Sequence, residues 1–179
     1  MVLAAGGGRR FGGTVPKLLA DFRGRPLVRW AVDAAVAAGL DDVVVVTGAV
    51  DLGAALPAGV RMVPNPRWEA GLASSLQAAL AQLGARDAAV VGLGDQPLVP
   101  AAAWRAVAAS DAAIAVATFE GARRPPVRLA REVWPLLPAE GDEGARALMR
   151  DRPDLVAEVA CSGEPADVDT LEDLERWSC

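Results

Sequence analysis

The chain has 179 residues, 53% of them apolar, with a formal charge of −5 and a pI near 4.8. This length suffices for one well-buried domain and is short for two, so we expect a single domain over residues 1–179. The acidic balance argues against a nucleic-acid partner, because phosphate backbones attract basic surfaces. No apolar run approaches the length of a membrane span, and "MVLAAGGG" is too short for the apolar region of a signal peptide, so we expect a cytoplasmic protein without membrane contact.

The residue types that the sequence lacks narrow its chemistry. Histidine and tyrosine are both absent, which excludes Ser-His-Asp and Cys-His catalysis and makes histidine-ligated metals implausible. The two cysteines, Cys161 and Cys179, have no CxxC spacing and indicate neither a disulfide framework nor a zinc site. Carboxylates, hydroxyls, arginines, one lysine and backbone amides remain, and they favour phosphoryl or nucleotidyl transfer with an oxygen-bound divalent ion.

Apolar strands and amphipathic helices alternate along the first two thirds of the chain. Strands are predicted at residues 1–5, 41–48, 60–65, 87–95 and 112–119, and helices at 26–39, 52–56, 74–84 and 100–110. Proline near the start and glycine at the end delimit the first helix, and Ser74 or Ser75 is placed to cap the third. The alternation predicts an α/β fold, a three-layer αβα domain with a mostly parallel, Rossmann-like sheet. Beyond Phe119 it weakens, and we expect short helices that elaborate one edge of the sheet.

A glycine-rich loop, "LAAGGGRRFGG" from Leu3 to Gly13, follows the first strand and precedes the single lysine, Lys17, which stands against 17 arginines. Glycines let backbone amides approach a ligand, and an ammonium fits between phosphate oxygens where a planar guanidinium does not. The spacing matches neither the dinucleotide fingerprint nor a Walker loop, since Phe11 and Gly13 occupy positions that those motifs give to glycine and lysine. We predict a polyanion cradle that includes Arg10 and Lys17, the alternative being a flexible loop with solvated arginines.

Polar residues also follow later strands. Ligands bind at the carboxyl ends of strands in such sheets, so Asn65 and Asp95 are expected at the same edge as the glycine loop. Each has a structural alternative, because Asn65 lies in a "PNP" turn and Asp95 precedes a helix that it would cap. Asp169 likewise stands where it would cap the last helix. The five tryptophans are scattered along the chain, which favours a role in packing over a platform for base stacking.

These motifs together resemble a known family. "LAAGGGRRFGG…PK" is similar to the opening signature of nucleotidyltransferases with the GT-A-like fold. "NPRWEAGLASSLQAAL", "GLGDQPLV", "GDEGARALM" and "DVDTLEDL" follow in the order found in molybdenum cofactor cytidylyltransferases and their relatives, which include the guanylyltransferases. The resemblance covers nearly the whole chain. It implies Mg²⁺-dependent transfer of a nucleoside monophosphate from an NTP to the phosphate of molybdopterin, with release of pyrophosphate. Ala5, in LAAG rather than LAGG, favours CTP.

The resemblance also implies roles for individual residues. The nucleotide would be bound by Leu3, Ala4, Ala5, Gly6, Gly7, Arg10, Lys17, Asn65, Ser74, Ser75 and Asp95. Lys17, Arg10 and Asp95 would serve catalysis, and Asp95 and Asp169 would ligate Mg²⁺. The incoming pterin would face Gly141, Asp142, Gly144 and Arg146.

Two departures from the family pattern leave alternatives open. Lys17 stands five residues after Gly12, where three is usual. Arg124-Pro125-Pro126 replaces the Gly-His-Pro of many relatives, which puts the acceptor in question, and Arg123 and Arg124 either bind its phosphate or are solvated. The alternatives are a cytidylyltransferase or guanylyltransferase for a sugar phosphate or methylerythritol phosphate, and a non-catalytic accessory protein that binds nucleotide or cofactor. A molybdoenzyme is the expected partner if one exists.

Overall fold

The described residues, 1–178 of a computed structural model, build a mostly parallel sheet between two layers of helices. The sheet order is β5-β4-β1-β6-β8-β7-β9, with a separate hairpin of β2 and β3. The strands are β1 (Val2–Ala4), β2 (Asp21–Phe22), β3 (Arg25–Pro26), β4 (Val44–Thr47), β5 (Arg61–Pro64), β6 (Ala88–Leu93), β7 (Ile114–Phe119), β8 (Ala122–Ala130) and β9 (Val156–Ala160). All adjacent pairs in the large sheet are parallel except those that β8 makes with β6 and β7. The expected fold class is confirmed.

Alternate residues of the strands face two different helix layers. The helices are α1 (Leu27–Ala37), α2 (Leu72–Leu80), α3 (Ala101–Ala108), α4 (Ala145–Asp151) and α5 (Leu171–Ser178). In β1, Leu3 packs in the cluster beneath α2 and α4, whereas Val2 and Ala4 pack in the cluster beneath α1 and α3. Because both faces of the strands are buried, their sequences are continuously apolar rather than alternating.

The sequence suggested that the region after Phe119 forms short helices that elaborate one edge of the sheet. Short helices such as α4 are present, but the first segment of this region enters the sheet itself. Residues 122–130 form β8, which lies inside the sheet between β6 and β7 and runs antiparallel to both. Pro125 and Pro126 misdirected the prediction, because proline cannot donate to a sheet ladder. The register shift between β7 and β8 at this point leaves both prolines outside the regular pairing. Farther along the chain, β9 forms one edge of the sheet, and β5 forms the other.

Helix α2 begins two residues earlier than the serines suggested. Gly71 is its N-cap, and no side chain caps it, so neither Ser74 nor Ser75 has the predicted capping role. Gly71 has φ +97°, and a Cβ there would lie 2.5 Å from the Gly141 backbone. This close approach ties the start of α2 to the loop before α4, and the Ala73 N–H donates to the Gly141 carbonyl at 2.9 Å.

In the described part of the chain, no helix is long and apolar enough to cross a bilayer. Cys161 is a free thiol of intermediate exposure whose pKa is raised by burial. Cys179 lies outside the described residues.

Candidate active site

The glycine loop leaves the carboxyl end of β1 and forms one wall of a cavity of about 240 Å³, which we call the loop cavity. Gly8 has φ +59°, and a Cβ there would lie 2.9 Å from Lys17 Cβ, so the fold itself requires glycine. Gly6 differs, because its φ is not left-handed and a Cβ would meet no protein atom within 4 Å. Packing in the protein gives no reason for glycine at position 6, whereas the close approach of a ligand does.

Lys17 joins two carboxylates that are far apart in sequence. Its Nζ donates to Asp95 Oδ2 at 2.7 Å and to Asp169 Oδ1 at 3.0 Å. Only 10% of the Lys17 side chain is exposed. Burial by itself would lower the pKa of Lys17, but the charges and hydrogen bonds of Asp95 and Asp169 outweigh burial and raise the pKa above its ordinary value. Lys17 therefore stays positively charged at neutral pH and acts as the internal counter-ion of both carboxylates.

Asp169 reaches this position because the residues around it are anchored. Val168 is fully buried in a cluster with Phe11, Phe22 and Leu27, and its N–H donates to the Asp95 carbonyl at 2.9 Å. The Asp169 side chain caps no helix. Thr170 and Asp173 instead form a capping box, in which the Thr170 N–H donates to Asp173 Oδ2 at 2.9 Å and Thr170 Oγ1 accepts the Asp173 N–H at 3.1 Å. The Asp169 N–H also donates to Asp173 Oδ2, at 3.1 Å. The alternative role of Asp169 as a cap is therefore not observed.

Gln96 is a second anchor, and the sequence interpretation missed it. Its buried amide donates to the Pro165 carbonyl at 3.2 Å and to Asp167 Oδ1 at 2.9 Å, which fastens the "DVD" segment beside Asp95. Burial and the nearby charge of Asp95 raise the pKa of Asp167 above its ordinary value, and the Gln96 hydrogen bond and the Arg124 charge oppose this. Asp95 itself lies five residues before Pro100, the N-cap of α3, so it does not cap this helix either.

The two carboxylates suit a divalent cation. Asp95 Oδ1 is buried and has no hydrogen-bond partner among the described residues, an arrangement that is costly unless a ligand satisfies it. Mg²⁺ and Mn²⁺ take carboxylate oxygens together with waters and substrate phosphates. Within residues 1–178 no group of three or more His, Cys, Asp or Glu residues could hold a metal. Asp95 and Asp169 therefore fit a cation that arrives with substrate oxygens, not a metal that the chain holds alone.

Arginines extend the site toward solvent. Arg10 donates to Asp169 Oδ2 at 3.0 Å, and a cavity of about 230 Å³, the outer cavity, lies between Arg9, Arg10 and the Lys17 centre. The outer cavity and the loop cavity share Gly8, Lys17 and Asp95. Lys17, Arg9 and Arg10 therefore line two adjoining cavities beside the carboxylates, and this arrangement of positive charge suits a polyphosphate.

The remaining residues assigned to the nucleotide divide into two groups. Leu3, Ala4, Ala5, Gly6 and Ser75 line the loop cavity, as do Trp68 and Asp142. Asn65 and Ser74 border a different cavity beside α2. The buried Asn65 amide donates to the hydroxyls of Ser74 and Ser75, and Asn65 Oδ1 accepts the Arg67 N–H at 2.9 Å, so the turn role is present. Asn65 thus holds the Ser75 side chain through a hydrogen bond without lining the loop cavity itself.

Trp68 is a cavity residue that the sequence interpretation assigned to packing. Its ring lies against Gly7, where a Cβ would be 3.3 Å from the ring carbons. Of the residues assigned to the pterin, Asp142 lines the loop cavity and Arg146 lines an adjoining apolar cavity. Gly141 contacts α2 through its backbone, and Gly144 is the N-cap of α4.

Comparison with known proteins decides the family. Residues 1–158 match the MobA-like NTP transferase domain. The chain belongs to this family. It is thus an enzyme of the nucleotidyltransferase class with an NTP as the implied substrate, and the resemblance inferred from its motifs is confirmed at the family level. The match ends before Asp169.

Full-length relatives support this assignment. The chain is 34% identical to the nicotine blue oxidoreductase of Paenarthrobacter nicotinovorans, covering 98% of this chain and 94% of the relative. It is also 34% identical to the 3-deoxy-manno-octulosonate cytidylyltransferase of Vibrio parahaemolyticus, but over 58% of this chain and 44% of that one. The crystal structure of Rv0371c from Mycobacterium tuberculosis aligns with a TM-score of 0.84 and 32% identity over 98% and 94% of the two chains. Another structure of Rv0371c is a complex with manganese, with a TM-score of 0.84 and 31% identity over 99% and 95%.

Proposed function

We propose that this MobA-like NTP transferase domain transfers the nucleoside monophosphate of CTP to the phosphate of molybdopterin, with Mg²⁺ as its metal. An oxygen of the acceptor phosphate attacks the α-phosphorus of the nucleotide, the bond from that phosphorus to the bridging oxygen breaks, and pyrophosphate leaves. Because a phosphate monoester is already largely ionised at neutral pH, no strong general base is needed. A chain without histidine suits this reaction.

The contact of Lys17 with both Asp95 and Asp169 beside the glycine loop carries the proposal. Two carboxylates and an ammonium in one place supply what a triphosphate with its metal needs: ligands for the ion and a cation for the phosphate oxygens. Asp95, through its unpartnered Oδ1, and Asp169 would hold the metal, which would neutralise charge on the phosphates.

The other residues would bind and orient the substrates. The amides of the loop around Gly6 and the Arg10 guanidinium would hold the β- and γ-phosphates, while Lys17 moves from the carboxylates to phosphate oxygens. Ser75 and the Trp68 ring would border the nucleoside. Catalysis would then consist of positioning and electrostatic stabilisation.

The choice of CTP rests on Ala5 and on a cytidylyltransferase among the relatives. The choice of molybdopterin rests on the order of the motifs. A sugar phosphate or methylerythritol phosphate is the alternative acceptor, and a molybdoenzyme that receives the product is a partner implied by molybdopterin alone.

A redox function is a second candidate, because one relative over 98% of this chain carries the name of an oxidoreductase. The two functions make different demands on the site. Nucleotidyl transfer requires the carboxylate pair and a metal, whereas reduction of an organic substrate requires an electron donor.

Pyrophosphate release tests the proposal. The purified protein is incubated with each of the four NTPs, Mg²⁺ and molybdopterin, and in parallel with sugar phosphates and methylerythritol phosphate. We expect pyrophosphate with CTP and molybdopterin, and at least about 100-fold slower release after Asp95→Asn. Turnover with a sugar phosphate alone would favour the alternative acceptor. Binding of CTP without any release would favour an accessory protein, and oxidation of NADH or NADPH with a quinone dye but no pyrophosphate would favour the redox candidate.

A further inference from the structure

Beside the loop cavity lies a cavity of about 500 Å³, the apolar cavity, between the sheet and helices α2 and α4. It opens where β6 and β8 separate: their pairing ends at Val91 and Val127, although β8 continues along β7 to residue 122. Most of its wall is formed by aliphatic side chains, which include Leu3, Leu72, Leu76, Val91, Leu93, Val116, Val127 and Met149. A partly open cleft of this size with a mostly apolar wall is typical of small-molecule binding sites.

Four arginines line the apolar cavity, and two of them form ion pairs. Arg123 pairs with Glu158 at 2.7 Å, and Arg150 pairs with Glu143 at 2.6 Å. Arg124 donates to the Arg123 carbonyl at 3.3 Å, and within residues 1–178 neither Arg124 nor Arg146 forms an ion pair. Two exposed guanidiniums with no carboxylate of the described residues at ion-pair distance, beside an apolar wall, favour a ligand that carries an anion. Glu143 acts on Arg146 only through its charge.

The apolar cavity also adjoins the site of the proposed reaction. Leu3, Leu72 and Leu93 line both it and the loop cavity. A ligand in the apolar cavity would therefore lie beside a nucleotide in the loop cavity.

We propose that the apolar cavity binds the acceptor, that its wall packs against the face of a flat ring system, and that Arg124 and Arg146 hold the acceptor's phosphate. This inference rests on the proposed function for the identity of the reaction, but the binding site stands on its own geometry. A sugar or polyol phosphate fits poorly, because its hydroxyls would be buried against aliphatic side chains without hydrogen-bond partners. The cavity thus favours a phosphate ester with a flat ring over a sugar or polyol phosphate as the acceptor class.

Binding of 1-anilinonaphthalene-8-sulfonate, an apolar ring system with one anion, tests the site by fluorescence titration. Ala145 lines the cavity on α4, whereas Ala147 on the same helix does not, so Ala145→Leu and Ala147→Leu are a matched pair. Arg124→Ala and Arg146→Ala are compared with Arg86→Ala, which removes an arginine that pairs with Asp41 elsewhere on the protein. Circular dichroism verifies that each variant is folded.

We expect Ala145→Leu to abolish most of the binding, and Arg124→Ala and Arg146→Ala each to weaken it about fivefold, as the loss of one partly exposed charge contact does. Ala147→Leu and Arg86→Ala should leave it unchanged, and glucose 1-phosphate should not displace the probe. Equal binding by the Ala145→Leu and Ala147→Leu variants, equal losses in all three arginine variants, or no binding at all would overturn the inference. CTP-dependent thermal stabilisation, measured on the same variants, should persist in all of them. Its absence in the wild type would contradict the proposed function and not the apolar site.

Discussion

The two ends of the site differ in how their charges are partnered before any ligand binds. At the acidic end, Lys17 contacts Asp95 and Asp169, and Arg10 contacts Asp169 as well. At the apolar end, Arg124 and Arg146 form no ion pair in the described part of the chain. A ligand at the acidic end must exchange existing ion pairs, whereas a ligand at the apolar end adds contacts that the protein lacks. We therefore expect the acidic end to bind a metal and a triphosphate together. The metal would replace Lys17 as the partner of the carboxylates, and the triphosphate would replace the carboxylates as the partner of Lys17.

Removing one carboxylate charge from the acidic end should have the largest effect. Asp95→Asn keeps the shape of the side chain but removes a proposed metal ligand, so pyrophosphate release should fall by at least about 100-fold, as for other single electrostatic groups at reaction centres. Asp169→Asn should show a loss of similar kind. The exposed Asp111, changed to Asn, is the control and should retain full activity. Undiminished release by the Asp95→Asn variant would remove the basis of the metal assignment.

Replacing Lys17, the counter-ion of Asp95 and Asp169, tests whether a metal must displace its ammonium from the two carboxylates. Lys17→Met leaves Asp95 and Asp169 close together without their shared ammonium, so the free energy of unfolding should fall by about 1–3 kcal/mol in metal-free buffer. Mn²⁺ should restore part of this stability, and electron paramagnetic resonance should show tighter Mn²⁺ binding than in the wild type without nucleotide. Arg86→Met is the control for loss of a positive charge. If wild type and Lys17→Met bind Mn²⁺ equally, Lys17 and the metal do not compete.

Filling the space above Gly6 should separate ligand binding from folding. Gly6→Ala adds a methyl group that meets no protein atom, so the free energy of unfolding should stay the same or rise by up to about 1 kcal/mol. The same methyl would occupy the place of a phosphate, and nucleotide affinity should fall by at least about tenfold. Calorimetric titration with CTP and Mg²⁺ measures the affinity, and thermal unfolding measures the stability. Unchanged affinity would mean that no ligand approaches Gly6.

The sequence predicts the first part of the fold well because the signals there are local. Strand β1, the glycine loop, helix α1 and the buried β4 each follow from periodicity and from glycine and proline positions within a few residues. The place of β8 did not follow, because strand order depends on contacts between segments far apart in sequence. Two prolines within one strand also contradict the usual pattern of an interior strand.

The same distinction applies to the site. Loop residues and Asp95 are recognisable from motifs, and the structure brings Lys17, Asp95 and Asp169 together. The ion pairs among them were not foreseen, since they join residues 78 and 152 positions apart. Gln96 and Val168 carry no signal of their own: an amide and an aliphatic side chain matter here through hydrogen bonds and packing that only the folded chain creates. The assigned binding roles of the site residues remain predictions.

The smallest expected effect concerns how firmly α5 fixes Asp169 at the acidic end. Thr170→Val removes the hydroxyl that accepts the Asp173 N–H and donates to its carboxylate, so the free energy of unfolding should fall by about 1 kcal/mol. Because Asp173 also accepts the Asp169 N–H, Mn²⁺ affinity in the presence of CTP should fall a few-fold while the apolar cavity still binds its probe. Ser162→Ala, which removes an exposed hydroxyl before the "DVD" segment, is the control. A loss of probe binding equal to the loss of metal affinity would show that the two ends of the site are not independent, whereas a loss confined to the metal would show that α5 serves the acidic end alone.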